Sequence, residues 1–208
     1  QVFQDEATSK PWVGLMKRKS DLNDCMKAVE ARMIMDTRRS VQAPGPGQPD
    51  LRILTYRSDN GGEIINKRTV QKRLMKQLTD NERSIPGQSN QMAIGERCIR
   101  TIQDMARTML ARANAHPSWW CYAVETAVVN IGLCPTATNN DESPDARFFG
   151  QQPDMSHLRV WGCRAFVHIP VEKRANKDKF DPACAEGRFV GYPKNRAKGW
   201  LIYLNGRV

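Results

Sequence analysis

The 208 residues are 40% hydrophobic and 26% charged, a balance that suits one or two globular domains able to bury a core. Thirty-two Lys and Arg against 22 Asp and Glu leave a formal net charge of +10, which favours a polyanionic partner such as nucleic acid. No apolar run reaches the length of a membrane span, no signal peptide opens the chain, and neither a GxxxxGK[ST] phosphate loop nor a G-x-S-x-G elbow is present.

In chain order, Trp12-Val13-Gly14-Leu15-Met16 reads as a strand with Pro11 at its start. Ser20 then reads as the N-cap of a helix presenting Leu22, Cys25, Met26, Val29 and Met33 on one face. Residues 37–50, with three prolines and two glycines, read as a loop. Leu51, Ile53 and Leu54 predict a buried strand ending at Asp59, where Asn60-Gly61-Gly62 force a turn. From Asn66 to Leu78, Val70, Leu74 and Leu78 share a helical face, and Lys67, Arg68, Lys72, Arg73 and Lys76 cover much of the rest. Such a basic face either tracks a phosphate backbone or is simply solvated. Residues 79–95 carry no periodic signal beyond Ile85 and read as a loop.

A long helix is expected from about Glu96 to Ala113, with Ile99, Ile102, Ala106, Met109, Leu110 and Ala113 at helical spacing. A second follows Pro117, its buried stripe made of Trp120, Ala123, Val124, Ala127, Val128 and Ile131. The Trp119-Trp120 pair reads as core rather than as a platform for stacking bases. Residues 135–157 read as a connector. Beyond it the pattern changes to period two, with Trp161, Cys163, Ala165, Val167 and Ile169 on one face. Two short apolar runs, Arg188–Tyr192 and Trp200–Leu204, lead to an Asn205-Gly206 hairpin turn whose returning strand stops at Val208.

Two carboxylates stand out. Asp59 falls at a strand's C-terminal tip, where α/β folds often place ligand groups, and Glu96 opens a helix. Together they suit a divalent-metal site for phosphoryl transfer. Taken singly, each has an ordinary alternative: Asp59 as a turn residue and Glu96 as a complement to the helix dipole. The six cysteines form no C-x-x-C pair and the three histidines show no ligand spacing. These cysteines fit reduced, buried thiols of an intracellular protein rather than a zinc site within the chain.

Read together, several stretches resemble the integrase of copia-type long-terminal-repeat retrotransposons. They are PWVGLMKRKSD from Pro11, RSDNGGE from Arg57, GERCIRTIQDMARTML from Gly95, WWCYAVETAV from Trp119, LRVWGCRAFVHIP from Leu158 and GRFVGYPKNRAKGW from Gly187. They span nearly the whole chain in the family's order.

The resemblance implies a ribonuclease-H-like α/β core, a mixed sheet with flanking helices, over residues 1–152. A small all-β barrel of Src-homology-3 type, incomplete at its C-terminus, is implied over 153–208. It implies DNA, both element ends and target, as partner, and metal-dependent strand transfer in the nucleus as the ancestral reaction. No membrane and no small-molecule substrate are implied, and a homo-oligomer fits the family. Its Asp-Asp-Glu triad holds Mg²⁺ or Mn²⁺; by motif Asp59 corresponds to the second acid and Glu96 to the third. Lys67, Arg68, Lys72, Arg73, Lys76, Arg97 and Arg100 are the expected DNA contacts.

There are departures from the family pattern. The first triad Asp belongs to a strand upstream of Gln1, and Asp5 and Glu6 do not substitute for it. The spacing from Asp59 to Glu96 is 36 residues (96 − 59 − 1), one more than the family's. The segment that holds a family strand reads DNERSIP, a poor strand former. In a ribonuclease-H-like sheet the missing first strand is central, so two strand edges should be left without it. The expectation is an integrase fragment with little or no catalysis by itself. The alternatives are a non-catalytic nucleic-acid-binding remnant and a chain that does not fold stably.

Overall fold

The computed structural model describes residues 1–40, 53–58, 68–83, 93–174, 182–194, 199–204 and 206–208. They group into two compact units: residues 1–102 with 130–153, and 103–129 with 154–208. The third break of this division falls between residues 153 and 154. Residues 103–129 join the C-terminal sheet.

In the first unit, β1 (Val2–Gln4) and β2 (Pro11–Val13) pair antiparallel, Phe3 opposite Trp12. The strand expected over residues 12–16 therefore stops at Val13. Asp5 ties the turn between them by accepting from the Thr8 amide and hydroxyl at 2.9 and 2.7 Å. Helix α1 (Leu22–Arg39) follows a short 3₁₀ turn, and Leu22, Met26 and Val29 fill its buried stripe as expected. Asp21, not Ser20, is the capping residue, and the helix runs through Thr37, Arg38 and Arg39, which the sequence assigned to a loop.

Strand β3 (Thr55–Ser58) pairs parallel with β4 (Asp80–Arg83), Arg57 opposite Glu82. Helix α2 (Arg68–Lys76) lies in the crossover between them, as parallel pairing requires. Two expectations change here. The buried run Ile53-Leu54 is not strand, and Leu54 is 62% exposed. The unpromising DNER segment is a strand, because pairing with β3 outweighs weak intrinsic propensity. Among the described residues the two strand pairs form separate sheets, with no hydrogen-bonded ladder joining them.

Leu22 and Met26 of α1 pack against Val70 and Leu74 of α2, with Phe3, Met16 and Tyr56 at the rim. Leu78 does not join this face. It takes a left-handed conformation (φ 54°) just past the helix, where glycine or asparagine is usual, and points outward, 71% exposed. Inside this unit Glu30 accepts from the Tyr56 hydroxyl at 2.9 Å and from Arg73 at 2.5 Å, so α1, β3 and α2 meet on one carboxylate.

The expected connector over 135–157 contains a short helix, α5 (Pro144–Phe149), started by Pro144, capped by the Ser143 hydroxyl and ended by Gly150 at φ 71°. Asp145 pairs with buried Lys10, whose ammonium lies 4.8–5.6 Å from the ring centres of Trp12, Phe148 and Phe149. Trp12 donates to Asp36 at 3.0 Å.

Helices α3 (Ala93–Arg112) and α4 (Trp120–Leu133) each contribute residues to both units. The buried face of α3 is Cys98, Ile102 and Ala106. Ile99, expected in the stripe, is 40% exposed. At the start of α4, Trp119 packs into the core of the second unit beside Trp161, whereas Trp120 is 50% exposed and is not core.

The second unit is completed by β5 (Arg164–His168), β6 (Cys184–Gly191) and β7 (Leu201–Tyr203), an antiparallel sheet in that order. The expected alternation holds on β5: Arg164, Phe166 and His168 face out, Ala165 and Val167 in. Trp161 donates to the Val190 carbonyl at 2.9 Å, and Arg188 donates to the Ala113 carbonyl beyond α3 at 2.8 Å. Gly162 at φ 78° brings its backbone onto Ala113; an added Cβ would lie 2.3 Å from the alanine methyl. Leu204 and Arg207 exchange backbone hydrogen bonds at 2.7 and 2.9 Å, the pairing expected of a two-residue hairpin turn, although Asn205 itself lies outside the described residues. Of the six free thiols only Cys98 is buried, and Cys134 and Cys184 are exposed, contrary to the expectation of buried cysteines.

Glu30→Ala should destabilise the first unit by about 3–5 kcal/mol, because Arg73 is left buried without its carboxylate. The paired Glu30→Leu, Arg73→Met change should lie much nearer wild type in chemical denaturation. Burial, and then Glu30, raise the Tyr56 phenol well above its usual pKa. The folded state thus keeps a proton that the unfolded chain gives up above about pH 10, so this contribution is intact below that pH and is lost as pH rises further. The fall in stability above about pH 10 should therefore be shallower in Tyr56→Phe, in denaturation midpoints measured from pH 8 to 11.

Candidate metal centre and nucleic-acid interface

Helix α3 positions Glu96, one of the two carboxylates singled out in the sequence; the other follows the last residue of β3 along the chain. Ser58, the last residue of β3, is buried. Asp59 is the next residue and lies outside the described part, as does Lys67. Glu96 is described: it occupies the first turn of α3, and its side chain is exposed. The helix begins at Ala93, so Gly95 lies within its first turn rather than breaking the chain before it. Among the described residues Glu96 has no ion-pair partner and no side-chain hydrogen bond. It is an open hard-oxygen donor, as a Mg²⁺ or Mn²⁺ ligand must be. Among the described residues no three His, Cys, Asp or Glu side chains gather closely enough to hold a metal.

Arg57 lies next to this end of β3. Its guanidinium bonds Glu82 across the strand pair at 3.0 and 3.2 Å and Glu6 at 2.8 Å. These carboxylates, Glu82 first, raise the arginine's already high pKa. All three side chains are well exposed, so the clasp orients groups more than it stabilises the fold.

Helix α2 sorts its cations. Val70 and Leu74 face inward, which leaves Arg68, Lys72 and Lys76 exposed at i, i+4 and i+8, one line of positive charge along the helix. At 1.5 Å per residue that line is about 12 Å long. Arg73 departs from the expected contact face: its side chain is 12% exposed and is held by Glu30, so it is an interior residue. Arg97 and Arg100 are exposed on α3 beside Glu96.

Sequence reasoning did not find Glu30, Lys10 or Asp145. The signal for Glu30 was present, since it stands four residues after Met26 on the apolar face of α1, where an unpaired charge would be costly. Lys10 and Asp145 are 135 residues apart, and no local pattern joins them.

Two comparisons bear on what this chain is. A family model described as the retroviral polymerase SH3-like domain matches residues 163–207. The retrovirus-related Pol polyprotein from transposon TNT 1-94 of Nicotiana tabacum is 31% identical over 191 residues, 92% of this chain. The chain belongs to the integrase region of copia-type retrotransposon Pol polyproteins. The Pol polyproteins from transposons RE2 and RE1 of Arabidopsis thaliana are 28% and 27% identical over 208 and 203 residues. This integrase region spans only 13% of the length of each of the three relatives. Its fold is shared with a chain in the cryo-EM structure of the simian T-cell lymphotropic virus intasome in complex with PP2A regulatory subunit B56 gamma. That match has a TM-score of 0.54 at 11% identity and covers 98% of this chain and 68% of the other.

Because Glu96 is exposed and unpaired, Glu96→Gln should change stability by no more than about 1 kcal/mol, the scale of a charge at a helix N-terminus. A thermal or urea unfolding curve measures this. A larger loss would mean that the carboxylate has a structural partner.

Proposed function

We propose that this integrase region is the part of a Pol polyprotein that engages DNA through a ribonuclease-H-like core, residues 1–152, followed by a Src-homology-3-like barrel, residues 153–208. The observation that carries the reading is Glu96, an open carboxylate in the first turn of α3, in a chain whose RSDNGGE motif sets a second carboxylate, Asp59, directly after β3. The parallel β3–β4 pair with α2 in its crossover, and the fold shared with a chain of an intasome, support the core assignment. Asp59 and Glu96 would hold Mg²⁺ or Mn²⁺. Bound there, the ion would supply Lewis-acid stabilisation of charge at an attacked phosphodiester.

The chain's own residues do the rest of the binding. Arg68, Lys72 and Lys76 offer a line of cations to a phosphate backbone, Arg97 and Arg100 add positive charge beside Glu96, and Lys67 precedes the line in sequence. DNA at element ends and at a target, met in the nucleus, is the substrate consistent with this chemistry. These 208 residues carry two of the three carboxylates of the family triad. Two carboxylates would leave a hard divalent cation mostly hydrated and loosely held, so strand transfer by this chain alone should be absent or very slow. The exposed α2 stripe favours a second reading for the isolated chain, salt-sensitive DNA binding without cleavage.

Both readings are tested on a labelled duplex with Mn²⁺. Binding should weaken steeply with salt, and the triple change Arg68→Gln, Lys72→Gln, Lys76→Gln should reduce the slope of log K against log salt by about 3. No strand transfer is expected. Transfer abolished by Asp59→Asn and by Glu96→Gln would retain the metal assignment and refute inactivity. Transfer indifferent to both changes would refute the assignment.

A further inference from the structure

The outward face of the β5–β6 hairpin ends in a pairing that no spacing in the sequence reveals. Fifteen residues lie between His168 and Cys184 (184 − 168 − 1), yet the two are cross-strand partners in the antiparallel register. The hydrogen bonds on either side identify the kind of pair. Ile169 donates to the Ala183 carbonyl at 2.8 Å, and Phe189 donates to the Cys163 carbonyl at 3.0 Å. The ladder therefore alternates so that His168 and Cys184 occupy a non-hydrogen-bonded position. There the Cα atoms of opposite residues lie only about 4.5 Å apart and their side chains leave the sheet side by side. Both residues are exposed and on the same face. Among the described residues β5 is an edge strand, so a second molecule can approach this end of the sheet without displacing another described strand.

An imidazole and a thiol projecting together are a borderline-soft donor pair suited to Zn²⁺. Two donors fall short of the four that a structural zinc takes. Among the described residues no third His, Cys, Asp or Glu side chain gathers with the pair, and Glu186 on the same face is already held by Arg164 through two hydrogen bonds of 2.8 and 2.9 Å. A single chain thus offers half a site. Two chains related by a twofold axis offer two of each ligand, the Cys₂His₂ set of a tetrahedral zinc, from one patch used twice.

We propose that His168 and Cys184 form half of a zinc site that a second copy of this chain completes, making a metal-bridged dimer through the β5–β6 face. The ligands of such a site are set by hairpin register and by symmetry rather than by spacing along the sequence. The pair plays no part in the carboxylate centre, so this dimer does not depend on the strand-transfer reading. Thiolate ligation makes binding stronger as pH rises, with release of the thiol proton.

The full 208-residue chain, kept reduced with a phosphine, is titrated with Zn²⁺ and with Co²⁺ while its mass in solution is followed by light scattering. The expected result is half an equivalent of metal per chain, conversion of monomer to dimer, and a cobalt spectrum with thiolate charge-transfer and tetrahedral d–d bands. His168→Ala and Cys184→Ser should each weaken the metal by at least about 100-fold and abolish the dimer. Cys134→Ser, which removes an exposed thiol elsewhere, should change neither. One equivalent per chain without dimerisation would overturn the proposal, as would zinc binding unchanged in either variant or no zinc binding at all. Both variants alter exposed residues, and an unchanged circular dichroism spectrum verifies that they remain folded.

Discussion

Arg73 and Glu30 meet where there is little water, with side chains 12% and 9% exposed, and a guanidinium withdrawn from solvent must be paired. That requirement sets much of the first unit. Glu30 stands on the face of α1 that also carries Met26, Arg73 on the face of α2 that carries Val70 and Leu74, and Tyr56 reaches the same carboxylate from β3. Rotating α2 about its axis would break the pair and bury one of its other cations. The ion pair therefore fixes which side of α2 is wet. Arg68, Lys72 and Lys76 are outside because Arg73 is inside. Tyr56, held at its hydroxyl, fixes the strand that Asp59 follows in the sequence.

The second unit rests on a different device. Its sheet is held to the ends of two helices at named points: Trp161 and Thr126 share the Val190 carbonyl, Arg188 takes the Ala113 carbonyl, and Gly162 allows the backbone to close on Ala113. A small sheet gains stability by packing its apolar face against a helix, and here helix residues cover one side. Residues 103–129 thus belong with the sheet by packing, although their sequence pattern resembles that of the helices before them.

Much of this was legible in the sequence, and what escaped notice has physical causes. Helical and two-residue periods located α1, α2, α3, α4 and the alternation of β5, because burial on one face writes that pattern directly. Leu54 and Leu78 misled in the same way, since an apolar residue is no guarantee of burial where the chain enters or leaves an element. Asp80–Arg83 is strand for a reason no local propensity contains, the partner strand β3. Trp119 and Trp120 are adjacent and chemically alike, yet one is core and one is exposed; the turn from 3₁₀ to α-helix at that point decides it. Of the candidate residues, the place of Glu96 in the first turn of α3 and the exposure of Arg68, Lys72 and Lys76 followed from motif and spacing. Arg73's inward role did not, because its partner lies 43 residues away on another helix.

What remains to be joined is the pair Asp59 and Glu96, one following β3 and the other opening α3. Amide resonances in Mn²⁺ titrations answer this most directly, because paramagnetic broadening registers even weak and transient occupancy. Broadening should centre on Glu96, Arg97 and Ser58 in the wild-type chain and disappear together from both segments in Asp59→Asn. Broadening at Glu96 that persists without the Asp59 carboxylate, or none at either segment, would contradict a shared metal site.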